Sequence, residues 1–337
     1  SPIFAEFPQL AKDHSIVKMI CDPLRLAVIS QGNLDPDAVE SMMNTAIKVH
    51  HHEALRAPAA LAAIAGGLPA LGIVAAVLGG WVWFALGMLF FAVGVQEMLN
   101  LMKARGISPS KFAVWLFGPA FYILAFLGFE RHFDSAMILS VIFTFSWLLF
   151  RKKLASISDI GATLLMIFYL GLLPAHFIVL RQLYAYHERG LWNDPGLRYL
   201  FLILFVVSAL DVFAYYAGKK FGKNLLSPHI SPRKTVEGSA VGMLAAVGIA
   251  VVTGALFGIN SVHALVLGFI LTIVAQLGDL SESLLKRDAG IKDSGILMPG
   301  HGGILDRVDS YIFSGAVGYY YIHWFIFHQG LAHDILE

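Results

Sequence analysis

Charge is scarce in this sequence. Only 14% of its 337 residues are Asp, Glu, Lys or Arg, while 57% are hydrophobic; an ordinary soluble domain has roughly 25% charged and 45–50% apolar residues. A water-soluble globular chain is thereby excluded, and a polytopic membrane protein is the class that remains. There is no basic excess either. A formal net charge of +1 excludes the broad basic face that a nucleic-acid binder needs, so any polyanionic partner must be met locally. The single cysteine, Cys21, excludes an internal disulfide. No basic segment leading into a short apolar core follows Ser1-Pro2-Ile3, so no secretory signal is expected.

What is present is a series of apolar runs. Stretches long enough to cross a bilayer, about 17–25 residues each, fall at 58–78, 81–102, 113–129, 136–150, 160–180, 197–217, 239–258, 262–285 and 311–328. The expected fold is an all-α polytopic membrane bundle of about nine spans, with a tight hairpin at Gly79-Gly80 between the first two. Lys and Arg accumulate in cytoplasmic loops. The loops at 103–112, 151–159, 218–238 and 286–310 hold 15 of them and the opposite side four, so residues 1–57 are expected in the cytoplasm. That segment is mixed polar and apolar. Asp35-Pro36 ahead of an amphipathic run reads as a helix start, and a small helical segment is expected there.

Charge that is rare elsewhere is concentrated in "KRDAGIKDSGILMPGHGGILDRVD", residues 286–309. Just before it, Asp279, Glu282 and Ser283 fall on one helical face with Lys286 one turn beyond, since positions i, i+3, i+4 and i+7 coincide. Carboxylates at the end of a membrane helix are costly to bury and mark a polar site; a solvated helix end is the plain alternative. The stretch then brings Lys292, Asp293, a Pro-Gly-His-Gly-Gly loop, Asp306, Arg307 and Asp309. Two acidic pairs around a glycine-rich loop suit a hard divalent cation carrying phosphates, with the interspersed cations on the phosphates. His301 is either an acid–base group or a structural loop histidine. A second cluster lies on the same membrane side: Asp211 and Tyr215, four apart near a span end, then Ser231, Arg233 and Lys234. By itself it reads as an ordinary positive-inside loop.

"SLLKRDAGIKDSGILMPGHGGILDRVD" (283–309) resembles the signature of the phosphatidate cytidylyltransferases, or CDP-diacylglycerol synthases: Ser, two residues, Lys-Arg, four residues, Lys-Asp, a Pro-x-His-Gly-Gly core and a closing Asp-Arg-x-Asp. Met298 departs mildly from that pattern. "DVFAYYAGKKFGKNLLSPHISPRKTVEG" (211–238) resembles the segment that precedes the signature, and the likeness covers residues 80–330. It implies conversion of CTP and phosphatidate to CDP-diacylglycerol and pyrophosphate in the bacterial inner membrane, with the site facing the cytoplasm. It also implies Mg2+, in some members a monovalent cation such as K+, membrane lipids as surroundings, no nucleic acid, and a homodimer as the candidate assembly. Under it, Asp279, Glu282, Asp306 and Asp309 are metal-side carboxylates. Asp279, Lys286, Arg287, Lys292, Asp293, His301 and Asp306 are the catalytic set. Asp211, Tyr215, Ser231, Arg233, Lys234, Ser283 and Arg307 are substrate contacts.

Residues 1–79 carry a different likeness. "ICDPLRL", "HHHEAL" and "LPALGIVAAVLG" resemble the flagellar motor stator A subunit, with Arg25 at the position of its rotor-facing charges and Pro69 in its channel-forming span. The expected organisation is therefore a stator-like cytoplasmic segment (1–57), a stator-like first span (58–79), a cytidylyltransferase domain (80–330) and a tail (331–337). A stator-like ion-channel or motor-interaction protein, or a catalytically inactive fusion, are the competing functions.

Overall fold

The computed structural model describes residues 71–151, 154–183, 194–291, 294 and 303–327. Lys292, Asp293, His301, residues 1–57 and most of the first expected span lie outside these. Residues 71–78 are helical and end at Gly79. Gly79 and Gly80 take φ of 61° and 51°, a left-handed pair that side-chain-bearing residues reach only with strain. The hairpin falls where the glycine pair predicts it.

Eight helices follow: α1 (Gly80–Ala104), α2 (Lys111–Phe126), α3 (Phe133–Leu149), α4 (Ile157–Gln182), α5 (Pro195–Phe221), α6 (Val236–Leu256), α7 (Ser261–Asp288) and α8 (Leu305–Ile322). Among the described residues six helices are long and apolar enough to cross a membrane. Of the nine expected spans, the first lies mostly outside the described residues, and two others fall short for physical reasons. The helix α2 has only 16 residues, and α8 opens with Asp306, Arg307 and Asp309 in its first turns. The chain is an all-α integral membrane protein with one small addition, an antiparallel hairpin of β1 (Leu225–Ser227) and β2 (Ser231–Thr235). Pro228 and Pro232 bar a helix there, since proline lacks the N–H that a helix interior needs.

The helix termini are written in the sequence. Ser156 accepts from Asp159 N while Asp159 accepts from Ser156 N, a reciprocal capping box. Asp194 caps α5 ahead of Pro195, and Thr235 caps α6. Fully buried Leu200, Leu202, Ile203, Val206 and Val207 make α5 a central helix, packed chiefly on α6, while α7 packs on α8 and α8 on the second half of α4. Inside α4, residues Ile167–Leu172 form a π-helical turn; Tyr122 of α2 donates to the Leu170 carbonyl there at 3.0 Å. Below that turn Asp159 accepts from Ser108 N at 2.7 Å and Thr163 from Ser110 N at 2.9 Å, which fixes the α1–α2 connection. Above it Arg181 donates to the Ala76 carbonyl at 2.6 Å and pairs with Asp194 at 2.7 Å. The helix of residues 71–78, with Ala75 and Ala76 buried, is thus tied to α4 and α5.

Candidate active site

The carboxylates foreseen on α7 and α8 come together because the two helices touch closely. A Cβ on Gly278 would lie 2.6 Å from the carbonyl oxygen of Asp309, so only glycine lets the helices meet beside Asp279. Glu282, Ser283 and Lys286 are buried on the shared face, as their spacing predicts. Asp309 is also buried, within electrostatic reach of Asp279, Glu282 and Asp211. Asp211, on α5, is hydrogen-bonded to the Ser310 side chain.

Two ammonium groups neutralise this cluster. Lys286 forms ion pairs with Glu282, one turn back, and with Asp306 of α8. Lys234 reaches from β2 to Asp279, and one turn deeper Ser239 of α6 donates to Gln276. The hairpin is held over α7 by these contacts and by Arg287, whose Nε donates to the Ile230 carbonyl at 3.1 Å. The lysines expected on phosphates are also paired with carboxylates. Burying a charge without a partner costs several kcal/mol, which is the physical reason.

The remaining expected residues are more peripheral. Ser231 is half-buried and Arg233 exposed on β2, Arg307 is exposed on α8, and Tyr215 is exposed on α5 with its ring edge-on to Tyr216. Arg287 is spent on backbone carbonyls of residues 230 and 291.

Three residues of the site carry no signal that sequence reasoning used. Glu97, buried at 5% exposure, is the one acidic residue of α1. Its carboxylate accepts from Ile304 N at 2.8 Å, Leu305 N at 2.9 Å and Ser294 Oγ at 3.2 Å, capping α8 from across the bundle. Ser294 N–H donates to Asp306 at 3.0 Å, its hydroxyl, with one proton, lies 2.9 Å from Asp306 as well as beside Glu97 and is shared between the two carboxylates, and Gly303 N donates to Asp306 at 2.7 Å. Both sides of the segment between 294 and 303 therefore converge on two carboxylates. Tyr169, on the π turn, is buried with its hydroxyl unpartnered; it sits within electrostatic reach of Asp309, Glu282 and Asp279. An ionisable residue inside a span is a functional flag, and that flag would have found Glu97.

Whether a metal fits can be tested on these groups. Glu282 Oε1 has no hydrogen-bond partner, and three carboxylates, Asp211, Asp279 and Glu282, bear electrostatically on a fourth, Asp309. Hard oxygens with surplus negative charge suit a divalent cation. Asp306 is already filled by Lys286, Ser294 and Gly303. Among the described residues no three His, Cys, Asp or Glu side chains are grouped closely enough to form a finished metal cage.

Fold and centre together define the class: an integral membrane protein with a charged polar site sunk into one end of its helical bundle. Comparison with known proteins supplies the family. The sequence model of the cytidylyltransferase family matches residues 60–325. The phosphatidate cytidylyltransferase of Synechocystis sp. is 37% identical over 270 residues, covering 73% of this chain and 90% of that protein. That of Bacillus subtilis is 34% identical over 228 residues, covering 66% and 81%, and the chloroplastic phosphatidate cytidylyltransferase 4 of Arabidopsis thaliana is 33% identical over 280 residues, covering 76% and 70%. The chain belongs to the cytidylyltransferase family and is a membrane-embedded transferase. The family match begins at residue 60, so residues 60–79 lie within it as well as within the stator-like stretch.

Proposed function

We propose that this chain transfers the cytidylyl group of CTP to phosphatidate, forming CDP-diacylglycerol and pyrophosphate, in the bacterial inner membrane with the site facing the cytoplasm. The observation that carries it is the buried centre in which Lys234 meets Asp279, and Lys286 lies between Glu282 and Asp306. It sits at the membrane end where Lys and Arg accumulate, where a lipid phosphate and a soluble nucleotide can meet. The relatives named above support the substrate pair.

In the reaction, an oxygen of the phosphatidate phosphate forms a bond to the α-phosphorus of CTP while the α–β phosphoanhydride bond breaks, and the electron pair leaves on pyrophosphate. The nucleophile is already an anion near neutral pH. Positioning and charge neutralisation therefore matter more than a general base. Lys234, Lys286 and Arg233 supply cationic groups for the phosphates, with Lys292 and Arg287 beside them in the signature, and Ser231 and Ser283 supply hydroxyls. Asp279, Glu282 and Asp309 would hold Mg2+, with Asp306 positioned beside them by Lys286, Ser294 and Gly303, and a monovalent cation such as K+ has the same oxygen donors. When bound, the ion supplies positive charge against the phosphates.

The test is CTP- and phosphatidate-dependent pyrophosphate release by the purified chain, together with Asp279→Asn and Asp306→Asn. Loss of turnover in both variants is expected; full turnover in both refutes the site assignment. Homodimerisation, proposed with this reading, is checked by light scattering of the same preparation. The stator-like alternative gains no support from the described fold or the relatives.

A further inference from the structure

One polar pair lies outside the carboxylate–lysine centre and faces the bilayer. Along α5, Phe205, Val212, Phe213 and Tyr216 are exposed at 38–65%, the stripe that lipid tails cover. Ser208 is exposed in the same stripe. A hydroxyl turned outward among such residues is there at a cost unless it has a polar partner. Ser208 Oγ lies 2.7 Å from the hydroxyl of Tyr311 on α8, and either can be the donor. The two hydroxyls have two protons between them. One closes the pair; the other has no acceptor among the described residues.

The pair is continuous with the centre but displaced from it in one direction. Ser208 precedes Asp211 by three residues, about 4.5 Å along the axis at 1.5 Å per residue. Tyr311 follows Asp309 by two residues, about 3 Å. The helix α5 runs toward the charged end and α8 runs away from it, so both displacements point toward the bilayer interior. The Tyr311 hydroxyl remains within electrostatic reach of Asp211 and Asp309.

We propose that the Ser208–Tyr311 pair is a subsite for the ester carbonyls of a diacyl glycerophospholipid whose phosphate occupies the carboxylate–lysine centre. The inference rests on the phosphatidate reading above and deepens it. Ester carbonyls are acceptors without a proton of their own, they are the next polar atoms after the phosphate on the way to the acyl chains, and the free hydroxyl proton needs such an acceptor. The seam between α5 and α8 is then where the lipid's backbone lies.

The experiment compares phosphatidate with its dialkyl ether analogue of equal chain length, which keeps the phosphate and loses both carbonyls. It measures kcat/KM for each in mixed micelles, for the unmodified chain, Tyr311→Phe, and the double variant Ser208→Ala with Tyr311→Phe. One hydrogen bond corresponds to roughly a two- to tenfold preference. The unmodified chain is expected to favour the diester by that factor, Tyr311→Phe to favour it less, and the double variant to treat both lipids alike with its KM for CTP retained. Equal use of both lipids by the unmodified chain overturns the subsite, a result that needs no variant to fold. A double variant that keeps the full preference also overturns it. CTP turnover with neither lipid overturns the reaction itself, and the subsite with it.

Discussion

Replacing Glu97 with Gln changes one oxygen to an amide and removes a charge, with almost no change of volume. The carboxylate accepts from Ile304 N on one oxygen and from Leu305 N and Ser294 Oγ on the other. A glutamine can keep one of those oxygens. At least one buried backbone N–H then loses its acceptor, which costs about 1–3 kcal/mol, and the remaining bonds fall from charged to neutral strength, about 1 kcal/mol more. The sum, about 2–4 kcal/mol, falls on the first turn of α8 and its link to Ser294. At 1.4 kcal/mol per factor of ten, opening of that turn becomes roughly 30- to 1,000-fold more frequent. Hydrogen–deuterium exchange followed by mass spectrometry on peptides spanning 303–311 reads this directly. Accelerated exchange there with unchanged exchange in α5 is expected, accompanied by lower pyrophosphate release. Exchange at 303–306 within threefold of the unmodified protein refutes the capping role of Glu97.

Lys286→Met leaves Glu282 and Asp306 buried without their shared cation; breaking such a pair costs roughly 3–5 kcal/mol. The variant should lose its monodisperse peak in detergent size-exclusion, and adding Glu282→Gln should restore part of it. Gly278→Ala places a methyl 2.6 Å from the Asp309 carbonyl, an overpacking of about 1–3 kcal/mol. Lower thermal stability and a raised KM for CTP are expected, and unchanged values of both would contradict the close helix contact. Chelation of divalent ions should stop pyrophosphate release and Mg2+ restore it, as read from a titration; release that continues under chelation contradicts the divalent-ion reading.

The apolar spans were legible because a bilayer demands about 20 apolar residues in a row, a signal that survives without any knowledge of neighbours. The Gly79-Gly80 turn was equally legible, since two consecutive positive φ values need residues without a Cβ. The β1–β2 hairpin was not. Strands of three and five residues, the second containing a proline, have no period to detect. Spacing places Asp279, Glu282, Ser283 and Lys286 on one face, but it does not say what lies opposite, so the pairing of Lys234 with Asp279 and of Lys286 with Asp306 is not legible in it. Glu97 escaped for a related reason. Its partners stand about 200 positions away, and a single acid within an apolar run has no pattern of its own.

The π turn of α4 acts as a phase setting. Each residue of an α-helix advances the chain by about 100°, from 3.6 residues per turn, and the wider turn at 167–172 accommodates one residue more than an α-helical path would. Below it Asp159 and Thr163 must face the α1–α2 connection; above it Arg181 must face Ala76 and Asp194. With the extra residue removed, the two ends of α4 would be out of register by more than a quarter of a revolution, and one of the two connections could be made only by giving up the other. Tyr122, bonded to the Leu170 carbonyl, holds the offset in place. The rotation that turns Tyr169 toward the carboxylates is thus the same one that lets a single helix fasten connections at both faces of the membrane.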